Sequence, residues 1–483
     1  MNVKMMGKFT AQIITIEATF MVPALVIGLC YGEWNAVKGF GVTLAIMVAL
    51  AGLLFLICRK AGRLFGAREG LVCVGMSWIV MSLLGCLPFV ISGEIPFFID
   101  ALFEIVSGFT TTGASVVSDV EALSKCILYW RSFTHWLGGM GVLVFLLAVI
   151  PSQKGTGFTM HLLRAESPGP DVGKLVPKMR QTATILYAIY IVMTIINYVF
   201  LLFGGMDWLD ALCTAFGTAG TGGFGVRNDS MASFSPYIQN VTTVFMFLFG
   251  VNFSIYYLLL LRQFKSAFGD EELRLYVGLA VASVVAIVLN ILPLYGTVEE
   301  TIRHAAFQVS SVMTTTGYST TDFDLWPAFS KGVILMLMLI GASAGSTGGG
   351  FKCIRVLLLF KTLKRNIRQI LNPQKVQVIR SNGKVVDEKV LANVNAYTAA
   401  YFIILVLSIL LISLDGFSVE TNLSAAIACF NNIGPGMAAV GPMCNFSAYS
   451  VFSKLILTWD MLAGRLEIFP ILVLLSRSTW RKH

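Results

Sequence analysis

Charged side chains are scarce in this chain: Asp, Glu, Lys and Arg together make up 13% of its 483 residues. Soluble domains carry about a quarter, so a water-solvated globule is excluded. Histidine is rarer, with four copies, and the nine cysteines form no CxxC pair and no grouping with histidine. That argues against a zinc site, a disulfide framework or a thiol active centre, and leaves the cysteines as small buried hydrophobes. No nucleophile–base set stands out, so no enzyme is expected. The glycine run Gly341–Gly350 invites comparison with a phosphate-binding loop. However, Phe351 follows it where that pattern needs Lys, and no strand precedes it. The net charge of +9 is no nucleic-acid signal either, because it is concentrated in particular connections of a hydrophobic chain.

Apolar residues are abundant, at 56%. Runs long enough to cross a bilayer, about 18–20 residues, recur at 9–31, 38–58, 70–92, 128–150, 182–204, 236–261, 275–295, 329–360, 391–414 and 450–476. The first lacks a small-residue cleavage site before Glu33 and is read as a retained helix. Alternate connections are basic: Arg59 to Arg68, Lys154 to Arg180, Arg262 to Arg274, Lys352 to Lys389, and the tail from Arg477 to Lys482. The others hold Asp100, Glu104, Asp119, Asp207, Asp210, Glu299, Glu300, Asp415 and Glu420. The positive-inside rule then puts both termini in the cytoplasm.

On the acidic side a tetrad recurs four times: Thr110-Thr111-Thr112-Gly113, Gly220-Thr221-Gly222-Gly223, Thr314-Thr315-Thr316-Gly317 and Asn431-Asn432-Ile433-Gly434. The final glycines are 110, 94 and 117 residues apart, and two residues beyond them stand Ser115, Gly225, Ser319 and Gly436. That spacing is too long for a solenoid and fits a pseudo-fourfold array. Small and hydroxylated residues leave backbone carbonyls free to replace the water around a cation. The segment before each tetrad is too short to cross and reads as a re-entrant pore helix. Its C-terminal end would face a central cavity with partial negative charge.

The expected fold is therefore all-α and polytopic, with four span–pore helix–filter–span units around one pore. The divisions are two opening helices over 1–68, pore units over 69–155, 156–265, 266–370 and 391–483, and a cytoplasmic hairpin over 371–390 with its turn at Asn382-Gly383.

These tetrads, the run Gly341–Gly350 and the segment Gly464-Arg465-Leu466-Glu467-Ile468 resemble the TrkH/KtrB/HKT superfamily of potassium transporters over essentially the whole chain. The two extra N-terminal spans favour its bacterial TrkH-type branch. The resemblance implies four filters that bind potassium at their carbonyls and a homodimer with one pore per protomer. It also implies a cytosolic nucleotide-binding regulatory ring of the TrkA type, so that the nucleotide belongs to the partner and no cofactor to this chain. The location implied is the inner (plasma) membrane, with lipids as neighbours and the filters facing out.

Two features compete with plainer readings. The run with Gly341, Gly345, Ser346, Thr347, Gly348, Gly349 and Gly350 is either a helix-packing notch or an unwound gate beneath the filters; the gate is favoured. Arg465, placed in mid-span near Asp460 and Glu467, is either half of a structural ion pair or a cationic barrier below the filters. His135 and Trp136 read as helix-crossing residues, Arg131 as a candidate partner for an acid, and Lys454 as an anchor near the outer end. A proton- or sodium-coupled symporter is the rival function. It is disfavoured because only one span looks interrupted and such transporters break helices in paired halves.

Overall fold

The computed structural model describes residues 3–59, 67–139, 141, 179–375 and 377–480. Among these, helix dominates and the only strands are Arg380–Ser381 and Lys384–Val385, paired antiparallel around Asn382-Gly383. Val386 N–H adds a bond to the Ile379 carbonyl at 2.9 Å, so a hairpin turns at Asn382-Gly383 within 371–390, as expected. The stretches long and apolar enough to cross a bilayer without a sharp bend are Val3–Tyr31, Trp34–Ile57, Glu69–Ser92, Ala183–Phe203, Glu271–Leu294 and Glu388–Asp415. This is an all-α polytopic membrane protein. All nine cysteines are unpaired; Cys30 and Cys444 are exposed and the others buried.

The second spans of units two and four depart from expectation. Span 236–261 is two helices, Pro236–Phe249 and Phe253–Leu260, bent by 90°. Span 329–360 is Ala328–Ile340 and Cys353–Leu371, separated by the glycine run. Span 450–476 stops at Arg465 and restarts at Phe469, with Glu467 and Ile468 at φ 59° and 66°. In unit one the helix Lys125–Gly139 leads to residues mostly outside the described set, including 142–178. Interruption is thus shared by at least three units. The polar groups freed in unit two are met by the glycine run: Ser343 N–H donates to the Gly250 carbonyl (3.1 Å) and Phe253 N–H to the Gly345 carbonyl (3.0 Å). A helix cannot break at membrane depth unless protein or water answers it, and hydropathy along one segment carries no trace of a partner a hundred residues away.

Between the spans lie four short helices, Phe98–Phe109, Trp208–Gly220, Val298–Met313 and Val419–Phe430, too short to cross a bilayer. Asp207, Thr297 and Ser418 cap three of them by accepting backbone N–H groups. A belt of contacts ties each unit's second span to the next unit's short helix. Lys125 lies 3.9 Å from Asp210, Lys331 2.9 Å from Glu420, and Lys454 2.7 Å from Asp100. Arg303 supplies the remaining link by donating to Gln239. Lys454, expected as an anchor, instead closes the ring from unit four to unit one. Because Lys454 is almost buried, a thermal-unfolding mutant cycle on Lys454→Ala and Asp100→Ala should give a coupling of about 1 kcal/mol or more. Additive losses would mean that this pair does not join the units.

Candidate functional site

Each short helix ends in the same turn. The N–H of Thr112, Gly222, Thr316 and Ile433 reaches back five residues, to the carbonyls of Ser107, Gly217, Ser311 and Ala428, all at 2.8 Å. The residue before it bonds three back, at 3.1–3.3 Å, and is left-handed: Thr111 φ 57°, Thr221 φ 54°, Thr315 φ 59° and Asn432 φ 56°. This is the six-to-one, five-to-two pairing that terminates helices, built without glycine at its left-handed position. Three β-branched residues hold a conformation that costs about 1–2 kcal/mol each. Such strain persists only where the surroundings over-determine it.

The surroundings here are the other units. The final glycines are all left-handed, at φ 80°, 75°, 89° and 100°. A Cβ on Gly113 would overlap the Gly222 carbonyl oxygen, one on Gly223 that of Thr316, and one on Gly317 that of Ile433. On Gly434 it would lie 2.8 Å from the Thr112 carbonyl oxygen. The four tetrads therefore converge in a closed ring, ordered one to four, with each glycine against its neighbour's carbonyl. One cavity of about 130 Å³ touches all four final glycines, with Ser115, Ser319 and Arg131 on its wall.

The threonine hydroxyls are turned to bracing. Thr110 and Thr112 bond each other at 2.8 Å, as do Thr314 and Thr316, and Thr110 and Thr314 reach helix carbonyls at 2.7 Å. Asn432 Nδ2 crosses to Thr112 Oγ1 at 2.9 Å, and Asn431 pairs with Tyr401 and the Met338 carbonyl. His135 spans two units: its Nδ1 meets the Gly108 carbonyl at 2.8 Å and its Nε2 the Phe224 N–H at 3.3 Å. A carbonyl only accepts, so the proton sits on Nδ1 and the ring is neutral. Among the described residues no cluster of three metal-binding side chains occurs. Arg131 finds its acid in Glu104: both are buried, its Nε donates at 2.9 Å, and its guanidinium covers the Phe224 ring at 4.2 Å. Glu104 also accepts from Ser115 Oγ and Val116 N–H at 2.9 Å.

The glycine run lies at the opposite end of the tetrads from the cavity. Gly349 N–H donates to Thr315 Oγ1 at 2.6 Å, and a Cβ on Gly348 would stand 2.8 Å from the Thr314 carbonyl oxygen. Thr347 Oγ1 reaches the Phe249 carbonyl at 3.2 Å. Gly341, Gly345 and Gly350 are left-handed, and Ser346 Oγ turns back to the Ser343 carbonyl at 2.7 Å. Arg465 is not in mid-helix but on the last residue of its helix, where the span breaks. It donates to the Thr347 carbonyl (3.0 Å), to Gly139 (2.6 Å) and to Gly138. The acids near it in sequence are engaged elsewhere, Asp460 by Ser408 and Glu467 by Arg355.

The TrkH family profile, described as cation transport protein, matches residues 38–482. The chain belongs to this family. It is 35% identical to the Trk system potassium uptake protein TrkH of Escherichia coli K12, over 97% of each chain. It is 32% identical to that of Halomonas elongata over the full length of both. Its fold matches the crystal structure of the potassium transporter TrkH from Vibrio parahaemolyticus with a TM-score of 0.89, 30% identity and full coverage of both chains.

One site residue of this family member escaped the sequence reading. Lys352, counted there with the cytoplasmic cations, is 3% exposed and donates its ammonium to the Gly348 carbonyl. The rule that singled out Arg465, that a charge inside a span is rarely idle, applied equally to a lysine two residues beyond the glycine run. The Arg131–Glu104 pair gives a direct test. Glu104→Gln leaves a buried guanidinium uncompensated, so unfolding in detergent should show a loss of about 3–5 kcal/mol, against near-wild-type stability if the pair is dispensable.

Proposed function

We propose that this chain takes up potassium by conduction through the tetrad ring, with potassium as the substrate held at backbone carbonyls. The observation that carries the reading is the closed ring of glycine-to-carbonyl contacts opening on one cavity. A ring of carbonyls with no side chain between them can replace the hydration shell of a weakly hydrated monovalent cation. The short helices point their C-terminal ends at the ring and add partial negative charge. The named activity of the relatives, potassium uptake, agrees with this chemistry. The Gly341–Gly350 loop and Arg465 form the gate: the loop occupies the conduction path below the ring, and Arg465 bolts it to unit one. The filters face outward with both termini in the cytoplasm. The active form is a homodimer in the plasma membrane on a cytosolic nucleotide-binding ring, and the basic helix Cys353–Leu371 offers a docking face for that ring.

A coupled symporter gains one supporting observation, since interrupted spans recur in three units rather than one. Reversal potentials decide: a channel follows the potassium gradient alone, whereas a symporter shifts with an imposed proton or sodium gradient.

Gly113→Ser places a side chain against the Gly222 carbonyl and should lower the potassium-to-sodium permeability ratio in bi-ionic recordings. An unchanged ratio would remove Gly113 from the filter. Arg465→Ala removes a positive charge that, at roughly 8 Å and an effective dielectric near 20, opposes a cation by about 2 kcal/mol. Flux in proteoliposomes should therefore rise severalfold, and a folded variant with wild-type flux would assign Arg465 to structure only.

A further inference from the structure

Three consecutive acids, Asp270-Glu271-Glu272, stand where the third unit's first span enters the membrane. Acids at a helix N-terminus ordinarily cap it and offset its dipole, and Asp270 Oδ1 does so by accepting from Leu273 N–H at 2.9 Å. Their remaining contacts run outside that helix, to the hairpin, to helix Cys353–Leu371 and to the glycine run. Asp270 Oδ2 accepts from Asn382 Nδ2 at 2.7 Å, and Glu271 N–H donates to Asn382 Oδ1 at 2.9 Å. The hairpin turn is thereby pinned to the helix. The Glu271 carboxylate holds Lys361 of helix Cys353–Leu371, and Lys361 also donates to the Arg380 carbonyl of the hairpin at 2.7 Å. Glu272, buried at 5% exposure, turns inward: one oxygen accepts from Ala344 N–H at 2.6 Å and Ile354 N–H at 3.1 Å.

Those two N–H groups lie on either side of the Ser346–Gly350 stretch under the ring. A single carboxylate oxygen thus closes the neck of the loop, and no helix bond competes for either donor. Charge-assisted bonds to backbone N–H are among the stronger ones, and the freed amides would find no water at that depth. The same rigid helix start carries the hairpin contact and the loop contact on adjacent residues. A displacement of one is therefore delivered to the other without passing through the flexible glycines.

We propose that Asp270, Glu271 and Glu272 are positioning residues that make the seating of the Gly341–Gly350 loop depend on the position of the cytoplasmic hairpin. A partner that pulls on the hairpin loosens the loop through Glu272. As a mechanism of flux control, this rests on reading the loop as the gate.

The test uses the full chain in lipid nanodiscs, with amide hydrogen exchange over 341–355 read by mass spectrometry, and cation flux measured in proteoliposomes. Asn382→Gly keeps the left-handed turn, removes both hairpin bonds and lies on the exposed surface, so folding is spared. It should speed loop exchange by about three- to tenfold, the range for losing one net hydrogen bond, and raise flux. Glu272→Ala should do the same, and the double variant should exceed neither single one by much. Wild-type loop exchange in folded Asn382→Gly overturns the proposal, whether or not Glu272→Ala folds. Faster exchange with unchanged flux upholds the coupling and overturns the gate reading instead.

Discussion

The contact on which the rest of the structure depends is the approach of each tetrad's last glycine to the carbonyl oxygen of its neighbour. At that distance no side chain fits, so the four strips can lie side by side only if each ends in glycine, and each of those glycines is left-handed. The left-handed residues two positions earlier, Thr111, Thr221, Thr315 and Asn432, follow from the same demand. A helix that must stop at once and send its chain into the ring takes a left-handed residue there, and in units one and three the hydroxyls of the flanking threonines brace the strip. The inter-unit belt, the Arg131–Glu104 pair and His135 keep the four strips at the spacing the glycines allow.

Below the ring the problem reverses. There the chain needs segments that abandon helical bonding inside a membrane, and each must be satisfied by another. The glycine run answers the broken ends of unit two, Arg465 answers the carbonyls that end the unit-one helix, and Lys352 answers the loop itself. The positive charges are thus spent as donors to carbonyls. A guanidinium serves that purpose well because its planar fork reaches several acceptors at once.

Much of this was legible in the chain order. Scarce charge and long apolar runs dictated a polytopic helical protein, because a bilayer accepts no other open arrangement of backbone. The repeated tetrads gave the four units, and the alternation of acids and bases gave the expected sidedness. Short segments before each tetrad became short helices, as their length required. These features are local or periodic, so one sequence carries them. Broken spans in units two and four left no such mark: Gly250 and Glu467 sit in stretches that are apolar enough to cross straight.

Tertiary structure alone decided who answers whom. Arg465 has two acids close in sequence and instead donates to carbonyls contributed by units one and three, because its helix stops and turns it toward them. Lys352 belongs by composition to a basic cytoplasmic stretch but is drawn inside by the orphan carbonyl of Gly348. Lys454 closes the belt with an acid 354 positions away. Hydropathy and spacing report the energy of a residue against water or lipid, and they determined which segments enter the membrane and how often the motif recurs. Hydrogen-bond satisfaction within a water-poor interior is a property of pairs, and its partners are fixed only once the four units have closed around their common axis.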